Sequence, residues 1–117
     1  MRQNQILGQY GEELAAQYLS DRGYVIHQRN WRCAAGEIDL IAKHRNCWIF
    51  VEVKTRSGTG FGHPFEAITS QKMARMRKLA AQWCNQNKIS GAAIRLDAIA
   101  VLVRHGNIAI EHLKQVF

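Results

Sequence analysis

Two neighbouring segments constrain the fold more than any other part of the sequence. Residues 36–42 (GEIDLIA) and 47–54 (CWIFVEVK) are each apolar enough to lie within a sheet. Each also carries ionisable side chains, which the interior of a sheet excludes unless they are paired or bind a ligand. The pattern therefore predicts a hairpin whose apolar centre gives way to an ionic cleft at one end.

The register of this hairpin follows from the length of its turn. If residues 45 and 46 form a two-residue turn, Asp39 lies opposite Glu52 and Glu37 lies opposite Lys54. Opposed residues share a face of the sheet, with Cβ atoms about 4.5–5.5 Å apart. A bulge or a longer turn would shift this register.

Two carboxylates this close repel each other unless a cation or a proton lies between them. A divalent metal is the natural resident, with Lys54 as a local positive charge. For Asp39 alone, a solvent-facing position in a half-exposed sheet is an equally good interpretation. The combination with a lysine is harder to explain in that way, because Trp48 and Phe50 alternate onto the same face.

Length and charge restrict the class of protein. The 117 residues suit one domain spanning residues 1–117 with a modest core. The 16 lysines and arginines against 9 acids give a formal charge of +7. Such an excess favours a polyanionic partner such as nucleic acid, although many merely basic domains share it.

Cysteine spacing and hydropathy restrict the compartment. Cys33, Cys47 and Cys84 lack the spacing of a zinc site, and their odd number does not suit a disulfide framework. The beginning of the chain is polar, and no stretch approaches the roughly 18 apolar residues of a membrane span. We therefore expect a cytoplasmic protein that does not associate with membranes.

The remaining periodicities complete an α/β fold. The first three strands form an antiparallel meander, the second helix crosses over to a strand parallel to the third, and a final hairpin strand follows. The helices flank this mixed five-stranded sheet. The predicted order is a helix at 3–22, strands at 24–32, 36–42 and 47–54, a loop at 55–64, a helix at 66–87, and strands at 93–103 and 108–113.

Several residues outside the hairpin are candidates for the same site. Glu12 lies at the margin of the apolar stripe of the first helix, where it either looks toward the carboxylate pair or is a solvated helix charge. Basic and polar side chains near the strand ends and early in the second helix could contact phosphates. These are Arg29, Arg32, Arg56, Gln71 and Lys72.

Together these residues resemble the PD-(D/E)XK nuclease signature, with the helical glutamate of archaeal Holliday-junction resolvases. Ile38 stands where the signature has proline, a variable position. The sequence is most similar to the bacterial YraN family of predicted nucleases, and the likeness extends over nearly the whole chain. The matching stretches are Gly8-x-x-Gly11-Glu12, Asn30-Trp31-Arg32, Gly36-Glu37-Ile38-Asp39-Leu40-Ile41, Phe50-Val51-Glu52-Val53-Lys54-Thr55-Arg56, Lys72 and Arg95-Leu96-Asp97.

The resemblance implies a restriction-endonuclease-like fold and a Mg²⁺-dependent (or Mn²⁺-dependent) nuclease acting on DNA, with branched DNA such as Holliday junctions as a candidate substrate. Asp39, Glu52 and the Val53 carbonyl would hold the metal. Lys54 would orient the attacking water or stabilise charge on the phosphate, and Glu12 would complete the site or position water. Resolvase-like enzymes act as homodimers because a junction is two-fold symmetric.

Two other functions compete with this one. A nucleic-acid-binding protein of nuclease fold could cut weakly or only with a partner, although a pure binder gains nothing from paired carboxylates near phosphates. A structural or interaction protein would explain the fold and the charge but would leave the carboxylates and the lysine unexplained.

Overall fold

The computed structural model describes residues 3–58 and 62–115. A mixed five-stranded sheet has its strands in chain order, with β1–β2, β2–β3 and β4–β5 antiparallel and β3–β4 parallel. The predicted meander, crossover and final hairpin are confirmed. The elements are α1 (Gln3–Asp21), β1 (Val25–Cys33), β2 (Gly36–His44), β3 (Cys47–Ser57), a short 3₁₀ helix (Pro64–Ala67), α2 (Ser70–Gln86), β4 (Ala93–Arg104) and β5 (Asn107–Leu113).

Two predicted boundaries were wrong by three or more residues. The second helix begins at Ser70 rather than residue 66, because Thr69 is extended and its hydroxyl caps the helix by accepting from the Lys72 amide at 3.1 Å. The third strand runs on to Ser57 rather than ending before residue 55, because it stays paired with β4 as far as Val103. Strand pairing thus extends into a segment whose composition suggested a loop.

The alternation of side chains along β3 builds two apolar layers, one on each face of the sheet. Ile49, Val51 and Val53 pack in the layer that contains α1 residues such as Leu19. Trp48 and Phe50 pack in the layer that contains α2. The α2 contribution to that layer comes from Met73, Met76, Leu79, Ala80 and Trp83. The sheet is therefore covered on both faces.

The β2–β3 hairpin has the predicted register as far as it pairs. Its turn is Arg45–Asn46, and the rungs run from His44–Cys47 to Leu40–Val51. Beyond Leu40–Val51 the recorded pairing of β2 with β3 stops, while β3 continues to pair with β4. We call the space between residues 36–39 of β2 and residues 52–57 of β3 the fork.

A buried polar network lies on β4, away from the fork. Asp97 has no solvent exposure and accepts hydrogen bonds from the Arg95 guanidinium at 2.8 and 2.9 Å. It also accepts from His112 Nε2 at 2.7 Å and from the Gln115 amide at 3.1 Å. The remaining nitrogen of the His112 ring lies 3.3 Å from the Tyr18 hydroxyl. The network therefore ties β4 to β5, the following segment and α1.

Candidate active site

Asp39 lies where the fork begins. Its Oδ2 accepts a hydrogen bond of 2.8 Å from the backbone amide of Val53. A side-chain acceptor therefore replaces the backbone acceptor just beyond the last β2–β3 rung. Burial, followed by the neighbouring charge of Glu52, raises the pKa of this carboxyl to about 7, against the opposing effect of the Val53 bond. The site thus contains a carboxylate whose negative charge is poorly compensated.

Glu52 and Lys54 project from the same face of β3, on the side of α2. Lys54 Nζ lies 3.3 Å from Glu52 Oε1, and both side chains are about one-quarter exposed (25% and 27%). The predicted neighbours Asp39, Glu52 and Lys54 are therefore together. Glu37 does not form a rung with Lys54; instead its carboxylate pairs with Arg32 at 3.0 Å.

Glu12 approaches the fork from the opposite face, on α1. Burial raises the pKa of its carboxyl, a side-chain hydrogen bond from Asn30 lowers it, and the charges of Glu37 and Glu52 raise it. Its position on α1 depends on Gly11, where an added Cβ would overlap the side chain of Thr55. Glu12 is electrostatically part of the site while lying on the other face of the sheet.

Two hollows meet at the fork. The α1-side hollow, of about 610 Å³, is lined by Leu7, Gly8, Glu12, Val53, Lys54, Thr55, Arg56 and Ser57. The α2-side hollow, of about 330 Å³, is lined by Gly36, Glu37, Glu52, Lys54, Lys72, Arg75, Met76 and Leu79. Lys54 lines both. Glu12 lines the α1-side hollow, Glu37 and Glu52 line the α2-side hollow, and Asp39 lines neither.

The donor set at the fork fits an oxygen-loving cation. Val53 directs its amide toward Asp39, and the carbonyl of a strand residue points to the same side as its amide. Within residues 3–58 and 62–115, no three His, Cys, Asp or Glu side chains are grouped closely enough to hold a metal by themselves. Two carboxylates and a carbonyl leave positions for water and phosphate oxygens, which is how Mg²⁺ binds in phosphate-processing sites.

The predicted phosphate-binding residues divide into two groups. Arg29 pairs with Glu13 at 2.6 Å, and Arg32 pairs with Glu37, so both guanidinium groups already have an acidic partner. Arg56 lines the α1-side hollow and Lys72 the α2-side hollow. Gln71 is exposed on α2 and lines neither hollow. The structure thus brings Arg56 and Lys72 to the fork.

Sequence reasoning singled out neither Asn30 nor Arg75 as a site residue. Asn30 has a φ of 51°, a left-handed conformation inside β1, and its side chain bonds Glu12. Asparagine tolerates this conformation better than most residues, so its place in the Asn30-Trp31-Arg32 stretch was a usable signal. Arg75 is one of several basic residues of α2, and only its position in the folded chain distinguishes it.

No helix in the described part of the chain is long and apolar enough to cross a membrane.

Comparison with known proteins identifies the family of the sequence. The model of the uncharacterised protein family UPF0102 matches residues 11–101.

Similar bacterial proteins carry the same family name. A UPF0102 protein of Leifsonia xyli is 51% identical over 108 residues, covering 92% of each chain. One from Clavibacter michiganensis is 48% identical over 106 residues, covering 91% of this chain and 90% of the relative. One from Nocardia farcinica is 50% identical over 114 residues, covering 97% of this chain and 90% of the relative. This chain belongs to the UPF0102 family.

Proposed function

We propose that this protein is a metal-dependent nuclease that hydrolyses phosphodiester bonds of DNA, with branched or otherwise structured DNA as the substrate to test first. The observation that carries the proposal is the fork itself. Asp39 lies close enough to Glu52 for the two charges to interact, Lys54 pairs with Glu52, and Lys54 lines both hollows. The net charge of +7 supports a polyanionic substrate.

The residues that would hold the metal are Asp39, Glu52 and the Val53 carbonyl. When bound there, Mg²⁺ or Mn²⁺ supplies charge stabilisation for the scissile phosphate and lowers the pKa of water at the site. A cation there would offset the burial and the repulsion by Glu52 that together raise the pKa of Asp39. An oxygen-only donor set matches both ions.

Lys54 and Glu12 act from the two faces of the sheet. The ammonium of Lys54 is held near Glu52 and is still one-quarter exposed, so it can stabilise negative charge that develops on a phosphate. Glu12 faces the α1-side hollow, where its carboxylate can orient water. Hydrolysis by this set needs no nucleotide cofactor.

The test is a cleavage panel on wild type, Asp39→Ala and Lys54→Ala. Linear, nicked, flap and four-way-junction DNA, and RNA, are each supplied with Mg²⁺ or Mn²⁺. Asp39→Ala should abolish cleavage. Lys54→Ala should slow single-turnover cleavage on the order of 10²–10³-fold while affinity changes little. Lys78→Ala, which removes one positive charge from an exposed position outside both hollows, should cut at the wild-type rate.

A binding protein of nuclease fold is the second candidate. The observation that favours it is the lack of a three-side-chain metal group within the described ranges. It predicts tight binding and no cleavage by wild type on every substrate with either metal. If wild type cuts and Lys54→Ala cuts equally fast, the nuclease proposal stands and the role assigned to Lys54 is wrong.

A further inference from the structure

The α2-side hollow has a cationic wall that the catalytic set does not use. Lys72 and Arg75 are three residues apart on α2, so their side chains rise from the same flank of the helix. Both residues are exposed, and both line the hollow. Met76 and Leu79, which are buried on the adjoining flank, form its apolar part. The helix thus presents two positive charges above an apolar floor.

The acids of this hollow already have partners. Glu52 lies against Lys54 and Glu37 against Arg32. Among the described residues, neither Lys72 nor Arg75 forms an ion pair, in contrast to Arg29 and Arg32. The α2 wall of the hollow therefore carries positive charge that the acids of the hollow do not balance, and this wall fits an anion.

Gly36 keeps this hollow accessible. Its φ of 146° is one that residues with a side chain rarely adopt, and an added Cβ would press on Leu79 at 3.3 Å. Gly36 therefore contributes no side chain that would fill the hollow at that position. Backbone that approaches without a side chain is a common feature of places where a ligand comes close.

The hollow is continuous with the fork through one residue. Lys54 lines both hollows, and Arg56 lies in the α1-side hollow. Cations therefore line both hollows beside the carboxylates: Arg56 the α1-side hollow, Lys72 and Arg75 the α2-side hollow, and Lys54 both. A nucleic-acid strand carries one negative charge per nucleotide, so a strand that places one phosphate at the fork brings its neighbours toward these cations.

We propose that the α2-side hollow is a phosphate subsite that binds a phosphodiester next to the scissile one, with Lys72 and Arg75 as its ligands. The inference rests on the proposed function, since it takes DNA as the substrate. Contacts to phosphate position a strand without reading its bases. The subsite therefore fixes where a strand lies relative to Asp39 and Glu52, and it does so independently of sequence.

Salt dependence of binding tests the subsite without any cleavage. A short fluorescent single-stranded oligodeoxynucleotide is titrated in EDTA at several salt concentrations, against wild type and Lys72→Ala/Arg75→Ala. Each phosphate neutralised on a single strand contributes about 0.7 to the slope of log K against log salt, so loss of the one phosphate that the subsite binds should lower the slope by about 0.7.

The matched control is Lys78→Ala/Lys88→Ala, which removes the same charge from exposed positions that line neither hollow. Its slope should stay close to that of wild type. Equal slopes for the two double variants would overturn the subsite, because a diffuse positive surface predicts that outcome. Thermal unfolding of both variants verifies that these exposed substitutions leave the fold intact.

The cleavage assay with Mg²⁺ or Mn²⁺ separates the subsite from the nuclease. A lower slope in Lys72→Ala/Arg75→Ala without any cleavage by wild type supports the subsite and refutes the nuclease proposal. Cleavage by wild type with an unchanged slope in this variant refutes the subsite and leaves the nuclease standing.

Discussion

Two aspartates on the strands that flank β3 have opposite surroundings. Asp97, on β4, is fully buried and accepts hydrogen bonds from Arg95, His112 and the Gln115 amide. Burial alone would raise the pKa of this carboxyl. The bonds from His112, Arg95 and Gln115 outweigh burial and hold the pKa below its ordinary value.

Asp39, on β2, accepts a hydrogen bond from the Val53 amide, and its charged neighbours are other carboxylates. Burial, followed by the charges of Glu52, Glu12 and Glu37, raises its pKa to about 7. The two sites show that burial does not decide the state of a carboxylate by itself. The number of donors and the sign of the neighbouring charge decide it, and the poorly compensated site is the one suited to bind a cation.

The largest expected effect is at Asp97. Asp97→Ala leaves the buried donors of Arg95 and His112 without their acceptor, and breaking a buried ion pair from one side typically costs about 3–5 kcal/mol. Urea denaturation at pH 7 measures the loss. Because the folded pKa of Asp97 is lowered, its stabilisation is present above about pH 4, the ordinary range of a carboxyl, and is lost as pH falls through the folded pKa. If Asp97→Ala lowers the free energy of unfolding at pH 7 by less than about 1 kcal/mol, then Asp97 is not the structural carboxylate that its hydrogen bonds indicate.

The contribution of Asp39 to the free energy of unfolding should depend on pH with the opposite sign. Its folded pKa of about 7 lies above the ordinary 3.8, so metal-free wild type should lose stability as pH rises from about 4 to about 7. Asp39→Asn removes this loss. It should therefore stabilise the metal-free protein at pH 8, by at most about 4 kcal/mol at about 1.4 kcal/mol per pKa unit. The measurement is urea denaturation in EDTA from pH 4 to pH 8.

Asp21→Asn is the control for this experiment, because it removes one negative charge from the exposed end of α1. It should leave the pH profile of wild type unchanged. If Asp39→Asn is less stable than wild type at pH 8, then Asp39 is a structural residue like Asp97 and the contrast between the two fails.

The smallest of the three effects concerns how closely α1 approaches the fork. Gly11→Ala would overlap Thr55, and overpacking of this kind usually costs about 1–3 kcal/mol. Gly8→Ala meets no atom within 4 Å and should stabilise α1 by up to about 1 kcal/mol. Thermal unfolding of the two variants measures both. Equal effects would mean that α1 is not held against β3 at Gly11.

The sequence predicted the parts of the fold that depend on local pattern. The alternation of residues 36–42 and 47–54 and a two-residue turn sufficed for the hairpin register, because period and turn length are local properties. The same local reasoning brought Asp39, Glu52 and Lys54 together. The end of pairing at Leu40–Val51 was not predictable, since β4 rather than β2 supports the rest of β3.

The sequence also did not predict which acidic residues pair with the arginines of β1. Arg29 and Arg32 were predicted to contact phosphates, yet each pairs with a glutamate of another element, Glu13 on α1 and Glu37 on β2. Lys72 was singled out as a phosphate contact, whereas Arg75 was not distinguished from the other basic residues of α2. The hollow that contains both exists only after α2 has packed on the sheet. Pairing between elements depends on distances in three dimensions, which charge pattern does not contain.

The parallel pairing of β3 with β4 has a consequence for synthesis of the chain. Its rungs run from Cys47–Ala93 to Ser57–Val103, so each joins positions separated by the loop, the 3₁₀ helix and α2. Such non-local pairings form late, because the intervening loop must close first. On a ribosome, a nascent chain that ends before residue 93 carries Glu12 and the three acids of the fork but lacks the strand that supports Glu52 and Lys54. Limited proteolysis of arrested chains should therefore find β3 protected only after β4 has emerged.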